Sequence, residues 1–274
     1  MDIKRITSTL LGFPLVVIIL ALGDKYLVDI CLAFIAMLGM QEYFNAISKE
    51  SKPVKWIGYV ACSIIGLIHI VPEHFPSIVT TNIMLLGIPT IMLILFAQVI
   101  FSNMKTTFKD IAYTFFGMAY VIGCIAFLAL LRGLEQGNVL IWYAIIAAWG
   151  TDTFAYLVCK KFGKHKLNKI SPKKSVEGAI AGTVSAVILV VVYTLVMNKL
   201  YNLEYSYIYV AMATIILSII GQIGDFAASS IKRYVDVKDY SNLIPGHGGM
   251  LDRIDSLMFL APFAYVIFSM INMI

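Results

Sequence analysis

Apolar runs separated by short polar stretches divide the chain into nine helical segments. They lie at roughly 6–22, 26–48, 55–71, 80–101, 111–131, 138–160, 178–199, 206–231 and 251–272. Several reach the ~20 residues that cross a hydrocarbon core about 30 Å thick. They are too long and too continuously apolar for the ten-residue alternation of a barrel strand. The pattern predicts an all-α fold, a polytopic transmembrane helix bundle. The first and third runs are short, which leaves room for a break or a tilt. Pro14 and Pro89 fall inside spans, where neighbouring helices can satisfy the freed backbone groups. The first run follows Lys4 and Arg5, as a signal peptide would. No small-residue cleavage site follows it and another span begins at once, so it reads as a retained helix.

Composition agrees with this pattern. Of 274 residues, 60% are hydrophobic and 14% charged, against about 25% charged in a soluble domain. No polar stretch is long enough to hold a soluble domain. Cys31, Cys62, Cys124 and Cys159 all fall in apolar runs and read as small buried hydrophobes rather than a disulfide framework. The four His residues are scattered, with no zinc-ligand spacing.

Positive charge sets the orientation. With the N-terminus in the cytoplasm and the C-terminus outside, only Lys25, Arg132 and Lys199 of the 21 Lys and Arg lie outside. This predicts five N-terminal spans over 1–137 and four C-terminal spans over 138–274, with cytoplasmic loops at 160–177 and 232–250. Positive-inside loops explain the lysines of those two loops. They do not explain the acids, glycines and His among them. The net charge of +5 suits basic loops on an anionic membrane surface and requires no nucleic acid.

The last loop and its flanks read SSIKRYVDVKDYSNLIPGHGGMLDRIDS, residues 229–256. Asp225, Ser229, Lys232 and Arg233 lie at i, i+4, i+7 and i+8, on one helix face. Asp225 sits inside the membrane end of its helix, and a carboxylate at a bilayer centre costs about 2.5–3.5 kcal/mol. Pro245, Gly246, Gly248 and Gly249 then break the helix and leave backbone N–H groups open just before the next span. Such a turn at a helix N-terminus is suited to an anion. Asp252 and Asp255 follow three residues apart, with Arg253 between them. Each acid alone would merely complement the helix dipole. Together with Asp225 they form the kind of carboxylate set that holds Mg²⁺ beside phosphate oxygens.

The other polar stretch is DTFAYLVCKKFGKHKLNKISPKKSVEG, residues 152–178. Asp152 lies within an apolar span. The loop presents Ser171, Lys173, Lys174, Ser175 and Glu177. Alone, its lysines would bind anionic headgroups at about 1 kcal/mol each. Beside the first constellation they suggest a cytoplasm-facing site for a polyphosphate, a divalent metal and a substrate reached through the bilayer.

The residues from Ser229 to Asp255 resemble the signature of the phosphatidate cytidylyltransferase, or CDP-diacylglycerol synthase, family. Ser229, Ile231, Lys232, Arg233, Lys238, Asp239, Ser241, Ile244, Pro245, His247, Gly248, Gly249, Met250, Asp252, Arg253, Ile254 and Asp255 meet its pattern. The 152–178 stretch is similar to the family's second motif. Ser175 replaces its usual Thr, Phe154 stands where a small residue is common, and Cys159–Lys160 stand where Gly-Arg is common. The resemblance implies a membrane enzyme that converts CTP and phosphatidate to CDP-diacylglycerol and pyrophosphate. It implies Mg²⁺, with room for a second, monovalent cation, and a homodimer. Asp225 and Asp252 are expected to hold the metal, with Asp255 and Asp152 as further donors. Lys232, Arg233, Lys238 and Arg253 are expected to neutralise phosphates, with Asp239 among them. Ser229, His247, Gly248 and Gly249 are expected at the nucleotide. Ser171, Lys173, Lys174, Ser175 and Glu177 are expected at the triphosphate or the lipid head. The location implied is a bacterial plasma membrane. Two rival readings are CTP-dependent transfer to another membrane lipid, such as an ether-lipid phosphate or a polyprenol, and a transporter. A transporter fits less well, because the charges gather at one face and the two halves show no repeat.

Overall fold

The structure, a computed structural model, describes residues 3–74, 77–168, 170–172, 174–246 and 248–271. Among them the regular elements are all helical. In chain order they are α1 (Ile3–Leu22), α2 (Lys25–Ile47), α3 (Lys55–Ile65), α4 (Ile70–His74), α5 (Ser77–Phe101) and α6 (Phe108–Gly117). A π-helical stretch (Met118–Gly123) leads without a break into α7 (Cys124–Gly133). Then come α8 (Gly137–Phe162), α9 (Val176–Tyr201), α10 (Tyr207–Tyr234) and α11 (Leu251–Ser269).

Each predicted apolar run falls on a helix, and the break that the short third run left room for is present. The third run, 55–71, is not continuous. Its helix stops at Ile65 and α4 starts at Ile70. The break has a polar cause. His69 turns Nδ1 to within 2.7 Å of the buried Asp29 of α2. Glu73 of α4 then pairs with Lys25 at 2.5 Å and accepts the Tyr26 hydroxyl. The bent segment is thereby tied to the first turns of α2. Pro14 and Pro89 both lie inside helices, as predicted. Among the described residues, five helical stretches are long and apolar enough to cross a membrane: α2, the continuous 108–133 stretch, α8, α9 and α10. The fold is an all-α membrane bundle.

The chain forms two compact units. Met1–Leu130 with Val235–Asp252 make one, and Leu131–Tyr234 with Arg253–Ile274 make the other. In the first unit α2 is the central element. Its C-terminal connection is held by α6, where Asp110 accepts the Lys52 N–H at 2.6 Å and the Thr114 hydroxyl accepts the Val54 N–H at 2.8 Å. Thr107 and Asp110 form a reciprocal capping box that starts α6.

In the second unit α8 and α9 pack antiparallel at very short range. Gly178 faces Ala155, Gly182 faces Thr151, and Ala186 lies next to Gly150. Small residues four apart let two membrane helices approach this closely. A Cβ at Gly182 would lie 2.6 Å from the Thr151 carbonyl oxygen. Polar side chains then join these helices to α10. Thr151 donates to Ser218 at 2.8 Å, Thr183 lies 2.8 Å from the same hydroxyl, and Gln222 donates to Thr183 at 3.1 Å. Ser175 starts α9 as its N-cap, its hydroxyl accepting the Gly178 N–H at 3.1 Å.

Two predictions follow from this packing. Gly182→Ala should lower the midpoint of heat unfolding in detergent, because overpacking of this kind costs about 1–3 kcal/mol. Gly87→Ala, whose Cβ would meet nothing within 4 Å, is the control and should leave the midpoint level or slightly higher. Equal midpoints for the two variants would contradict the α8–α9 contact. Ser175→Ala should cost about 1 kcal/mol of stability in denaturant unfolding, and Ser175→Asp should restore it. An alanine variant as stable as the parent would remove the capping role.

Candidate active site

Within the second unit, three helices each carry one carboxylate of the predicted set: Asp152 on α8, Asp225 on α10 and Asp255 on α11. Asp255 is buried and lies within Coulombic reach of Asp152, Asp225 and Lys232. Asp152 in turn is within reach of Asp225, Lys174 and Arg253. Each acid has donors. Asp152 accepts the Ser256 hydroxyl at 2.7 Å, and Asp255 accepts the Ser256 N–H at 2.8 Å. Asp225 forms an ion pair with Lys174, and Ser229 donates to it at a long 3.4 Å. The Lys174 ammonium also lies 4.5 Å from the centre of the Phe226 ring, a favourable place for a cation. Along α10 the predicted polar face divides: Lys232 is buried and Arg233 exposed.

The basic loop delivers Lys174 to this cluster. Glu177 accepts the N–H groups of Lys164 and His165, both at 3.2 Å, and meets the His165 ring nitrogen at 2.5 Å. The Leu167 N–H bonds to the Lys174 carbonyl, the Val176 N–H to the His165 carbonyl, and the Lys174 N–H to the Ser171 carbonyl. Of the residues expected at a substrate here, Ser175 and Glu177 have local partners that shape the loop, and Lys174 reaches the acids. Lys173 lies outside the described residues.

The glycine turn belongs to the first unit, and the N–H groups of Gly249, Met250 and Leu251 are already bonded. The sequence suggested that they stay open for an anion. Instead, Asp252 Oδ2 accepts the N–H groups of Gly249 and Tyr240, both at 2.9 Å. Glu42 of α2 accepts those of Met250 and Leu251, at 2.8 and 2.9 Å, and the Ser241 hydroxyl at 2.6 Å. Two of the chain's own carboxylates thus accept the Gly249, Met250 and Leu251 N–H groups. Gly246 and Gly248 have φ of 78° and 84°, which suits glycine. Lys238, Asp239 and Arg253 are exposed, and His247 lies outside the described residues.

Glu42 and Ser256 were not singled out from the sequence. Two acids in the apolar run 26–48, Asp29 and Glu42, were the available signal for Glu42, since such acids need partners. Ser256 carried no signal, because its partner Asp152 is 104 residues away.

The acids suit a divalent cation in kind. Among the described residues, no three His, Cys, Asp or Glu stand close enough to hold a metal by themselves. Mg²⁺ does not require that, because it usually keeps several waters and takes one or two carboxylates plus substrate phosphates. Asp225, already paired with the Lys174 ammonium, is a carboxylate that holds a cation.

Comparison with known proteins agrees with the motifs. A phosphatidate cytidylyltransferase of Bacillus subtilis (strain 168) is 37% identical over 168 residues, covering 61% of this chain and 61% of the relative. The proteins of the same name from Staphylococcus haemolyticus (strain JCSC1435) and Staphylococcus aureus (strain COL) are each 36% identical. Their alignments cover 66% and 73% of this chain, and 68% and 75% of the relatives. The match to the first relative thus spans less than two thirds of its length. The family model described as the cytidylyltransferase family matches residues 3–271. With that match along nearly its whole length, the chain belongs to the cytidylyltransferase family.

Proposed function

We propose that this protein is a phosphatidate cytidylyltransferase, which joins CTP and phosphatidate to give CDP-diacylglycerol and pyrophosphate. The observation that carries this reading is the motif from Ser229 to Asp255, complete at its polar and glycine positions, in a chain of this family. The names of its relatives support the same substrates.

In this reaction an oxygen of the lipid phosphate attacks the α-phosphorus of CTP. The bond from that phosphorus to the bridging oxygen breaks, and pyrophosphate leaves with the bonding electrons. Such chemistry asks the protein mainly for positioning and for neutralisation of charge. Lys174, with Lys173 and Ser171, takes the triphosphate or the lipid head. Lys174 exchanges its Asp225 partner for a phosphate oxygen as it does so. Lys232, Arg233, Lys238 and Arg253 offset the charge that builds on the leaving group. His247 and Gly248 stand at the nucleotide, with Ser229 and Asp239 beside the cations. Asp225 and Asp252 are the carboxylates assigned to Mg²⁺, with Asp152 and Asp255 as further donors and a place for a monovalent cation. A bound Mg²⁺ would screen the negative charge of the CTP phosphates. Glu177 and Ser175 hold the loop that carries Lys174.

The finer membrane arrangement belongs to the same proposal. Nine spans, with the N-terminus in the cytoplasm and the C-terminus outside, place the lysine-rich loops where CTP is available. The distribution of Lys and Arg supports this. Bacterial relatives support a bacterial plasma membrane. A homodimer is the assembly that the family resemblance implies.

The test uses purified protein in micelles containing phosphatidate. Pyrophosphate should be released from CTP only when phosphatidate and Mg²⁺ are both present. Asp225→Asn should reduce turnover at least about a hundred-fold while its unfolding midpoint stays near that of the parent. Lys174→Ala should raise the CTP or phosphatidate concentration needed for half-maximal rate. Release that ignores phosphatidate, or full turnover by the Asp225 variant, would reject the reading.

A further inference from the structure

We propose that Glu42, which lies outside both polar constellations, is a positioning residue for the reaction: it fixes where α11 begins and thus the place of Asp252 in its first turn. The inference rests on the function proposed above, and its contacts all lie within the first unit.

Glu42 is 5% exposed on a helix whose other buried residues are mostly apolar. A carboxylate so deep is costly unless hydrogen-bonded. Its donors come from about two hundred residues further along the chain: the Ser241 hydroxyl and the N–H groups of Met250 and Leu251. The first N–H groups of a helix have no partner within the helix. An acid there also gains from the helix dipole. Glu42 therefore caps α11 from a different helix. Asp252, the residue after Leu251, then closes the turn onto Tyr240 and Gly249.

Two absent Cβ atoms select the same register. A Cβ at Gly249 would lie 2.6 and 2.7 Å from the two Glu42 carboxylate oxygens. At Gly39, three residues before Glu42 on α2, a Cβ would lie 2.9 Å from a methyl of Leu251. Sliding α11 by one residue would displace the Met250 and Leu251 N–H groups from Glu42 and drive a side chain into one of these gaps. A misplacement of 1 Å can cost about a hundred-fold in rate.

The variants Glu42→Gln, Glu42→Asp and Gly249→Ala test this. In Glu42→Gln one acceptor oxygen becomes an NH₂ group, which cannot accept an N–H. Turnover per folded molecule should fall about a hundred-fold, with half-saturating CTP changed only a few-fold. Amide exchange at Met250 and Leu251 should quicken while the rest of α2 stays protected. Glu42→Asp keeps both oxygens and should recover part of the rate. Gly249→Ala should impair turnover in the parent but add little in a Glu42→Ala background, where the clash is gone. If Glu42→Ala does not fold, the three single variants decide. Parental turnover in Glu42→Gln overturns the proposal, whether or not exchange changes. Unchanged exchange at Met250 and Leu251 overturns it too. Should the parent show no CTP turnover with phosphatidate, the function reading fails, and the exchange result alone decides whether Glu42 holds α11.

Discussion

A carboxylate carried on an apolar helix is costly unless hydroxyls, N–H groups or cations meet it, and the polar parts of this protein are organised by that requirement. Asp225 is met by Lys174, Asp152 by Ser256, Asp252 by two backbone N–H groups, and Glu42 by two more and a hydroxyl. Each match draws in a piece of chain from elsewhere. Lys174 arrives on a loop held by Glu177, and the glycine turn closes on α2. The tight packing of α8 on α9 serves the same end in the second unit, since it sets Asp152 and the start of the basic loop on one rigid pair.

Much of this was legible in the sequence, for reasons that differ from element to element. The helices were, because an apolar run of membrane length has no other satisfied backbone state: the run read as 26–48 is α2 at Lys25–Ile47, and that read as 178–199 is α9 at Val176–Tyr201. A break in the short third run was allowed for, but its place after Ile65 was not legible, because His69 there meets Asp29, forty residues away. The clustering of Asp152, Asp225 and Lys174 could be suspected from their residue types, while the actual pairs came only from packing. The glycine turn shows the limit most clearly. Its composition pointed to open N–H groups, but Asp252 takes that of Gly249, and Glu42 of α2 takes those of Met250 and Leu251. Ser175 was read as a substrate contact because it is a hydroxyl in a motif. Its position just ahead of α9 was also a capping signal, and capping is the role that its geometry supports.

For catalysis this means that the charged residues divide by task. Those with fixed, local partners, such as Glu177, Ser175 and Glu42, hold backbone in place. On the proposed function, those whose partner is another side-chain charge, above all Lys174 on Asp225, would exchange it for a substrate phosphate. On that function the lipid phosphate would come from the bilayer and the nucleotide from water, and a site built from helix ends and their connecting loops would give access to both.

The central claim is that the α-phosphorus of CTP passes to the lipid, and its most direct test follows that atom. Purified protein would be given CTP labelled at either the α- or the γ-phosphate, with phosphatidate and Mg²⁺, and the lipid extracted. The account predicts α-label in the lipid fraction and γ-label only in water-soluble pyrophosphate. γ-Label in the lipid, or neither label there, would contradict it.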